Sequence, residues 1–448
     1  METFGKKNVF VVGAGKSGIA AARLLLREGA RVTLFDERPK EAVERALGHA
    51  IPPQAAFVCG PMPEKAAQGT DLVVLSPGVP ASRLPREALR RFNVPVWGEL
   101  ELGFRRFRGN LAAVTGTNGK STVTTLLGDM AARAFSRVFV GGNLGTPLAA
   151  AAGEPFDWGV VEVSSFQLES IDAFRPKVAV LLNLTEDHRD RYEDFAEYAE
   201  AKMEIFRNQG ATDAAVVNAD DPEVTARTDR IRAEKFPFSL ARPLSEGACL
   251  SGGEMVYRNG VREERYPREL LRIRGMQNVE NALAAIAAAR RIGVPPDAVR
   301  DALAAFPGLP HRVEFVRRVR GVSWFNDSKG TNVGAVLKCL EGFSEPVVLI
   351  AGGKDKGIDF RPLREPLRRK ARAAVLIGEA RKRMERELSG AVEMAAVEAL
   401  DDAVRRAAGL ARQGDVVILS PACSSFDQFR DFEERGEAFR RAVRELPE

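Results

Sequence analysis

The sequence predicts an α/β protein of three domains, in which helices cover largely parallel sheets. Its 448 residues correspond to about three domains at roughly 100–200 residues each. Short β-rich runs alternate with amphipathic segments along the chain, as they do when helices cover a parallel sheet. Two glycine-rich loops, at residues 13–18 and 116–120, each join a predicted strand to a predicted helix.

In the first third, we predict a strand at 8–12, a glycine turn, a helix at 19–28, and further strands at 31–35 and 71–75. The segment 97–109 is irregular and charged, which suggests a domain boundary. A second α/β unit then begins. Its predicted elements are strands at 111–115, 158–163, 177–183 and 213–218, a helix from 121, and a helix at 279–291.

Pro307, Gly308, Leu309 and Pro310 form a predicted hinge before the last third. Strands predicted at 346–351, 373–377 and 415–419 alternate there with arginine-rich amphipathic helices, which indicates a third α/β unit. The basic clusters have helical spacing, which is more typical of a solvated helix face than of a nucleic-acid patch.

The composition limits the compartment and the metal chemistry. Lys and Arg exceed Asp and Glu by 66 to 61, which favours anionic partners without distinguishing nucleic acid, acidic membrane and phosphorylated small molecules. The four cysteines are widely spaced and only three histidines occur, so we expect a reducing compartment and any metal to be a hard ion held by oxygen. Without a signal-peptide pattern or a long apolar run, we expect a cytoplasmic protein that does not enter a membrane.

Residues 115–122 read Thr-Gly-Thr-Asn-Gly-Lys-Ser-Thr, between a predicted strand and a predicted helix. Backbone N–H groups of such a loop bind phosphate oxygens, the lysine reaches the β and γ phosphates, and the serine can bind Mg²⁺. Val114 replaces the first glycine of the longer P-loop pattern, and a plain glycine turn is the alternative. The predicted triphosphate-binding residues are Gly116, Thr117, Asn118, Gly119, Lys120, Ser121 and Thr122.

The first glycine loop, Gly13-x-Gly15-x-x-Gly18 followed by Asp36, satisfies the dinucleotide fingerprint. The same geometry serves any diphosphate at a helix N-terminus. We therefore interpret it as an anion site whose ligand stays open, with a structural glycine turn as the alternative.

Polar residues also follow other predicted strands. Glu162 ends one strand, where it could hold Mg²⁺ against the γ phosphate, although a solvated loop carboxylate is an equal alternative. His188 closes a polar segment at 183–188 and on its own is more typical of a surface histidine. Loops at 326–332, 352–356 and 420–425 are rich in Lys, Thr and Ser, which suggests capture of an acidic ligand.

Several of these segments together resemble the Mur ligases, ATP-dependent enzymes of peptidoglycan precursor assembly. They are residues 116–122, 162–168 and 185–188, Asn278-x-x-Asn281 and His311-Arg312. The strings at 326–332 and 420–429 resemble the D-glutamate-adding branch of that family. The resemblance implies a Rossmann-like N-terminal domain at 1–107 for the UDP-linked substrate, a P-loop-type central ATPase domain at 108–308, and a Rossmann-like C-terminal domain at 309–448 for the amino acid.

The resemblance also implies the substrates and the ion ligands. UDP-N-acetylmuramoyl-L-alanine and D-glutamate would be joined at the expense of ATP, through an acyl phosphate and a tetrahedral intermediate, by a monomer. Two Mg²⁺ ions are implied, one on Ser121 and Glu162, the other on His188 and a carbamylated Lys202. The implied catalytic residues are Lys120, Glu162, His188 and Lys202.

Further residues are assigned to ligands only by this resemblance. The implied ATP contacts outside the loop are Asn278, Asn281, Arg312 and Asp327. The implied contacts of the UDP-linked substrate are Lys16, Ser17, Asp36, Arg38, Ser76 and Asn143. The implied D-glutamate contacts are Thr331, Lys356, Ser425 and Phe432. Gln277, Glu37 and Phe426 depart from the family pattern.

Three alternatives stay open at this point. One is a Mur-type ligase for a different acceptor amino acid. A nicotinamide oxidoreductase would use the first glycine loop but would leave the second idle. A nucleotide-regulated protein on nucleic acid would use the positive excess, although the cluster spacing argues against it.

Overall fold

The computed structural model describes residues 3–48, 51–63, 66–188, 191–260 and 262–447. Within them the chain forms three sheets flanked by helices, so the predicted α/β class is confirmed. The strands are β1 (Asn8–Val12), β2 (Arg31–Asp36), β3 (Ala56–Cys59), β4 (Leu72–Leu75), β5 (Val96–Gly98), β6 (Arg108–Thr115), β7 (Val138–Gly142), β8 (Pro155–Glu162), β9 (Val178–Leu181), β10 (Ala214–Asn218), β11 (Glu234–Ser239), β12 (Gly247–Ser251), β13 (Glu254–Asn259), β14 (Arg262–Pro267), β15 (Glu314–Val319), β16 (Val322–Asn326), β17 (Val347–Gly352), β18 (Ala371–Ile377), β19 (Glu393–Ala396) and β20 (Val416–Leu419).

The helices are α1 (Lys16–Arg27), α2 (Lys40–Leu47), α3 (Arg86–Arg91), α4 (Glu99–Arg106), α5 (Lys120–Ala132), α6 (Ser165–Leu168), α7 (Phe195–Met203), α8 (Pro222–Thr225), α9 (Met276–Arg291), α10 (Pro296–Ala305), α11 (Val333–Glu341), α12 (Arg364–Lys370), α13 (Arg381–Glu387), α14 (Leu400–Leu410) and α15 (Phe432–Arg444). Short 3-10 turns occur at Ala81–Arg83, Leu148–Ala151, Glu204–Phe206, Thr228–Arg230, Arg268–Leu270 and Arg361–Leu363.

The chain divides into two compact units. The first runs to Pro267 and includes Asn281–Ala302, and the second comprises Arg268–Glu280 and the chain from Leu303 onward. The first unit contains the first two sheets and the second contains the third. The domain limits at residues 107 and 308 stay a prediction.

The first sheet is parallel, with the order β3-β2-β1-β4-β5. Val9 and Val11 of β1 pack into the core on one face, and Phe10 and Val12 pack into the core on the other. A sheet covered on both faces explains the continuous apolar strands. The order reverses beside β1, so the glycine loop that follows β1 lies where open α/β sheets bind ligands.

The second sheet has the order β14-β13-β12-β11-β10-β9-β6-β8-β7. Strand β6 lies between β8 and β9, with Val114 opposite Glu162 and Thr115 opposite Leu181. The carboxyl ends of three parallel strands therefore meet at the loop that follows Thr115. This register places the predicted phosphate loop and Glu162 at one sheet edge.

Sequence reasoning missed the far end of this sheet. β13 pairs antiparallel with β12 and β14, and β14 reads Arg-Glu-Glu-Arg-Tyr-Pro. Charged side chains on a half-exposed edge strand hide the apolar alternation that signals a strand. The hairpin therefore looks like a polar loop in the sequence.

The segment at 97–109, whose sequence pattern is irregular and charged, is ordered in the structure, and the domain boundary predicted there stays a prediction. It forms the end of β5, helix α4 and the start of β6. The carboxylate of Glu101 on α4 is buried and accepts hydrogen bonds from the N–H groups of Asp172, Ala173 and Phe174 at 2.9–3.0 Å. An acidic residue satisfied by backbone donors occupies a core position, which conceals the helical pattern.

The third sheet has the order β15-β16-β20-β17-β18-β19 and is parallel except for β15. Leu419 of β20 lies opposite Asn326 of β16 and Ile350 of β17. The three strand-end loops that were predicted to capture an acidic ligand therefore follow neighbouring strands and leave the same edge of the sheet.

Candidate active site

The phosphate loop owes its shape to two glycines. Gly116 has φ +147° and Gly119 has φ +86°, conformations that glycine adopts without the strain of a side chain. A Cβ atom at Gly119 would lie 2.3 Å from Oδ1 of Asn281, and one at Gly116 would lie 2.9 Å from Cβ of Leu182. The loop thus packs against predicted ATP residue Asn281, and α5 begins directly after it at Lys120.

Lys120 folds back over the loop that precedes it. Its Nζ atom donates to the carbonyl oxygens of Gly116 at 2.8 Å and Thr117 at 2.9 Å. The ammonium group therefore lies next to the N-terminus of α5, and helix N-termini are common binding sites for phosphate oxygens. Ser121 and Thr122 of the first helical turn are buried beside it.

Glu162 is 4% exposed, so it is not the solvated loop carboxylate that was the alternative. Its Oε1 atom accepts a hydrogen bond from Nδ2 of Asn143 at 2.8 Å. The chain turns sharply after it, because Ser164 and Gln167 form a capping box that starts α6. The structure therefore places Asn143, predicted to contact the UDP-linked substrate, directly on the predicted metal ligand.

His188 lies near the same edge, with a left-handed backbone of φ +53°. Its ring packs edge-on against Phe166 with a centroid separation of 4.8 Å. Its backbone N–H donates to Oδ1 of Asp187 at 2.9 Å. Aromatic packing and backbone geometry fix the position of the imidazole on the segment that follows β9.

Lys202 is 2% exposed, although its sequence context on α7 resembles an ordinary surface lysine. Its Nζ atom lies 4.7 Å from the ring centroid of Tyr198. Burial, and next the positive charge of Lys120, lower the pKa of Lys202 well below its usual range, against the opposing influence of Asp187 and Glu162. A neutral amine is therefore favoured there. Lys120, Glu162, Asp187 and Lys202 form one electrostatic cluster.

The fit of this site to Mg²⁺ follows from its donor atoms. In the described part of the chain, no group of three or more His, Cys, Asp or Glu side chains could hold a metal ion. The predicted set has only Glu162 and His188 of those types. Ser121 and Glu162 offer buried oxygen atoms, which suit a hard cation, and Lys202 would supply oxygen only after modification.

The predicted UDP site surrounds the first glycine loop. A Cβ atom at Gly18 would lie 1.8 Å from the carbonyl oxygen of Gly13, and one at Gly13 would lie 2.7 Å from Cβ of Ser76. These contacts require glycine and allow α1 to start at Lys16 rather than at the predicted residue 19. Lys16 and Ser17 occupy its first turn, where a diphosphate would meet the helix N-terminus.

Asp36 ends β2 and organises the adjoining loop. It accepts hydrogen bonds from Ala14 N–H at 3.0 Å and from Nε of Arg38 at 2.8 Å. Burial raises the pKa of Asp36, but the hydrogen bonds from Arg38 and Ala14 outweigh this and lower the pKa. The carboxylate is therefore ionised and holds Arg38 in place. Neighbouring Glu37 pairs with Arg83 at 3.5 Å.

Replacement of Arg38 with Ala is expected to raise the KM for the UDP-linked substrate about tenfold and to leave the KM for ATP unchanged. The reason is that the predicted assignment gives Arg38 one charged contact with the UDP group, which alanine would remove. The side chain is 52% exposed, so folding should not suffer. Initial-rate kinetics with each substrate varied test this, with Arg83→Ala as the control. A matching rise in the KM for ATP would contradict the assignment.

In the second unit, the predicted D-glutamate residues lie on the strand-end loops and at the start of α15. Ser425 is buried after β20, Thr331 follows β16, and Lys356 is exposed on the loop after β17. Phe432 begins α15, and Nζ of Lys329 lies 5.1 Å from its ring centroid. Phe426 is 71% exposed beside Ser425.

Arg435 is a residue that sequence reasoning missed. It is fully buried and donates to the carbonyl oxygens of Ser328 at 2.8 Å, Cys423 at 3.1 Å and Ser424 at 3.2 Å. It thereby links the loops that carry Thr331 and Ser425. Nothing in the sequence marks it, because it occurs in an arginine-rich amphipathic helix whose other arginines look solvated.

The other predicted ATP contacts are divided between the units. Asn281 belongs to the first unit, and Asn278, Arg312 and Asp327 belong to the second. Asp327 is buried, and its Oδ2 atom accepts a hydrogen bond from Oγ of Ser420 at 2.7 Å. Burial raises the pKa of Asp327 to about 6, although Ser420 and Arg312 oppose the rise.

Replacement of Asp327 with Asn is expected to stabilise the protein at pH 7.5 by roughly 2 kcal/mol while reducing activity. A carboxyl pKa raised above its unfolded value means that stability falls as pH rises from about 4 to about 6. Asparagine has no carboxyl group to ionise, so it avoids the free-energy cost of burying a charged carboxylate. Chemical denaturation at pH 4 and 7.5 tests this, since the gain should vanish at pH 4. An equal gain at both values would exclude ionisation as its cause.

The chain matches three Mur ligase models. They are the Mur ligase MurD-like N-terminal domain at residues 7–98, the Mur ligase middle domain at 114–289, and the Mur ligase glutamate ligase domain at 311–423. The order of the strands and the presence of the phosphate loop are consistent with these matches. The chain belongs to the Mur ligase family.

Two relatives that are similar over their full length are named UDP-N-acetylmuramoylalanine–D-glutamate ligase. That of Geobacter metallireducens is 46% identical over 100% of this chain and 99% of the relative, and that of Myxococcus xanthus is 46% identical over 98% of each. The solved UDP-N-acetylmuramate-alanine ligase of Thermotoga maritima aligns over 98% of this chain and 99% of its own, with 22% identity and a TM-score of 0.62. That likeness supports the fold alone.

Among the described residues, no helix is long and apolar enough to cross a membrane.

Proposed function

We propose that this protein is an ATP-dependent ligase that joins D-glutamate to UDP-N-acetylmuramoyl-L-alanine in peptidoglycan precursor synthesis. The observation that carries the proposal is full-length similarity to ligases of that name, at 46% identity. The phosphate loop beside buried Glu162 and the loop cluster of the third sheet suit a triphosphate and an acidic amino acid, respectively.

The reaction proceeds in two transfers. A carboxylate oxygen of the alanyl group attacks the γ phosphorus of ATP, which breaks the bond to the ADP oxygen and gives an acyl phosphate. The amine of D-glutamate then attacks the acyl carbon, and the tetrahedral intermediate expels inorganic phosphate and releases a proton. The products are the amide, ADP and phosphate.

The protein's task is to bring anions together and hold them in line. The N-terminus of α5 binds phosphate oxygens, and Lys120 neutralises the β and γ phosphates. Lys16 and Arg38 neutralise the diphosphate of the sugar nucleotide. Lys356 neutralises a carboxylate of D-glutamate, and Thr331, Ser425 and Phe432 complete that pocket.

Mg²⁺, when bound, would lower the charge of the phosphates and polarise the γ phosphoryl group. We propose Ser121 and Glu162 as ligands of one ion, and His188 with Lys202 as ligands of a second. The buried, neutral amine of Lys202 supports this, because only a neutral amine adds CO₂ to form a carbamate. We also propose that the enzyme works as a monomer in the cytoplasm, where the family's nucleotide-linked precursors are assembled.

Phosphate release tests the proposed function. Purified protein with ATP and Mg²⁺ should release phosphate only when both UDP-N-acetylmuramoyl-L-alanine and D-glutamate are present. L-Lysine and diaminopimelate serve as alternative acceptors. Release with either of these but not with D-glutamate would identify a different Mur-type ligase, and release without any acceptor would exclude a ligase.

A further inference from the structure

A further inference concerns how the phosphate loop keeps its shape, and it rests on the proposed function. Asn183 follows β9, which neighbours β6 in the second sheet. Since Thr115 and Leu181 are register partners, the chain leaving β9 runs alongside the phosphate loop. Asn183 is therefore placed to contact the loop from the side opposite Glu162.

The side chain of Asn183 contacts the backbone of a single residue, Asn118, twice. The N–H of Asn118 donates to Oδ1 of Asn183 at 2.8 Å. Nδ2 of Asn183 donates to the carbonyl oxygen of Asn118 at 3.2 Å. In addition, the N–H of Thr117 donates to the carbonyl oxygen of Asn183 at 3.0 Å. The middle of the loop is thus fixed in position and in orientation.

The support behind Asn183 is also ordered. Asn183 is 8% exposed. Nδ2 of Asn218 donates to the carbonyl oxygen of Leu182 at 2.8 Å, and the N–H of Leu184 donates to Oδ2 of Asp221 at 2.9 Å. Side chains from the end of β10 and from the N-cap of α8 therefore hold the backbone on both sides of Asn183.

We propose that Asn183 is a positioning residue for phosphoryl transfer, which holds the backbone N–H and carbonyl groups of Asn118 so that the loop presents its donors to the β and γ phosphates. Because Thr117 and Asn118 donate their N–H groups to Asn183, the phosphate-binding amides are those from Gly119 onward. A helix N-terminus leaves these amides outside its own hydrogen-bond ladder. Asn183 would touch neither ATP nor the metal.

The test compares ADP with AMP, because ADP has the β phosphate that the loop is proposed to bind and AMP lacks it. In Asn183→Ala, the Kd for ADP should rise about tenfold, as expected for loss of two hydrogen bonds, whereas the Kd for AMP should not change. Asn183→Asp retains the side-chain volume and the hydrogen-bond acceptor but loses the donor. It should also raise the Kd for ADP and leave the Kd for AMP unchanged. Isothermal titration calorimetry measures both constants.

Asn208→Ala is the matched control, because Nδ2 of Asn208 donates to two backbone carbonyls, those of Asp172 and Phe174, at 2.7 and 3.1 Å. It should change neither constant. If both Asn183 variants bound ADP and AMP more weakly by the same factor, or bound ADP as tightly as the unaltered protein, the positioning role would be overturned. Failure of the unaltered protein to bind ADP would instead contradict the proposed function, so the two failures are distinguishable.

Discussion

Replacement of Lys120 with Ala should reduce turnover by about a thousandfold or more and leave binding of the UDP-linked substrate nearly unchanged. Nζ of Lys120 lies over the loop at 2.8 Å from the carbonyl oxygen of Gly116. In the proposed mechanism this ammonium group neutralises the γ phosphate while the substrate carboxylate attacks it. Removal of the Lys120 ammonium group should destabilise the transition state more than the bound ground state. The value of kcat should therefore fall by a larger factor than KM rises.

Steady-state phosphate release and calorimetric binding of UDP-N-acetylmuramoyl-L-alanine separate these effects. Lys235→Ala is the control, because this exposed lysine on β11 belongs to the same sheet. It should retain full activity. If Lys120→Ala lost both turnover and substrate binding to the same extent, the proposed separation of the nucleotide site from the UDP site would be wrong.

The phosphate loop could be predicted from the sequence because local rules determine it. A buried strand, two glycines and a helix-starting lysine follow one another in the sequence and mark the loop, although the contacts that hold its middle come from distant Asn183. The position of Glu162 follows from the same logic, since the carboxyl ends of adjacent parallel strands share an edge. Its burial and its contact with Asn143 do not follow, because they depend on tertiary packing.

Other features of the site and the core cannot be predicted from the sequence, because charged residue types indicate solvent exposure where the structure has buried side chains. Arg435 reads as one more surface arginine, yet it is buried and bonded to loop carbonyl oxygens. Glu101 reads as a loop acid, yet three backbone N–H groups surround it. A periodicity argument assigns charged residues to the solvent face, so it fails wherever hydrogen bonds allow a charge to be buried.

Lys202 is the clearest case of a residue that looks exposed in the sequence but is buried in the structure, and the second large prediction concerns it. Replacement of Lys202 with Met should reduce turnover by roughly a thousandfold or more, because Met matches the side-chain volume but cannot form a carbamate. Lys202→Arg should be equally inactive, since it retains a cation but cannot add CO₂. A purely structural role for a buried positive charge predicts instead that Arg rescues activity.

The carbamate itself is observable independently of activity. Protein equilibrated with ¹³C-labelled bicarbonate should show a carbamate carbon resonance that Lys202→Met lacks and that Lys177→Ala retains. Lys177 is the suitable control because its Nζ pairs with Asp213 at 3.3 Å and its side chain is half exposed. Since burial lowers the pKa of Lys202, its amine stays neutral to lower pH than that of an ordinary exposed lysine, so the resonance should persist below pH 8, where an exposed lysine is almost fully protonated. Absence of the signal in the active, Mg²⁺-loaded protein would exclude the carbamate, and the second ion would then need a different ligand.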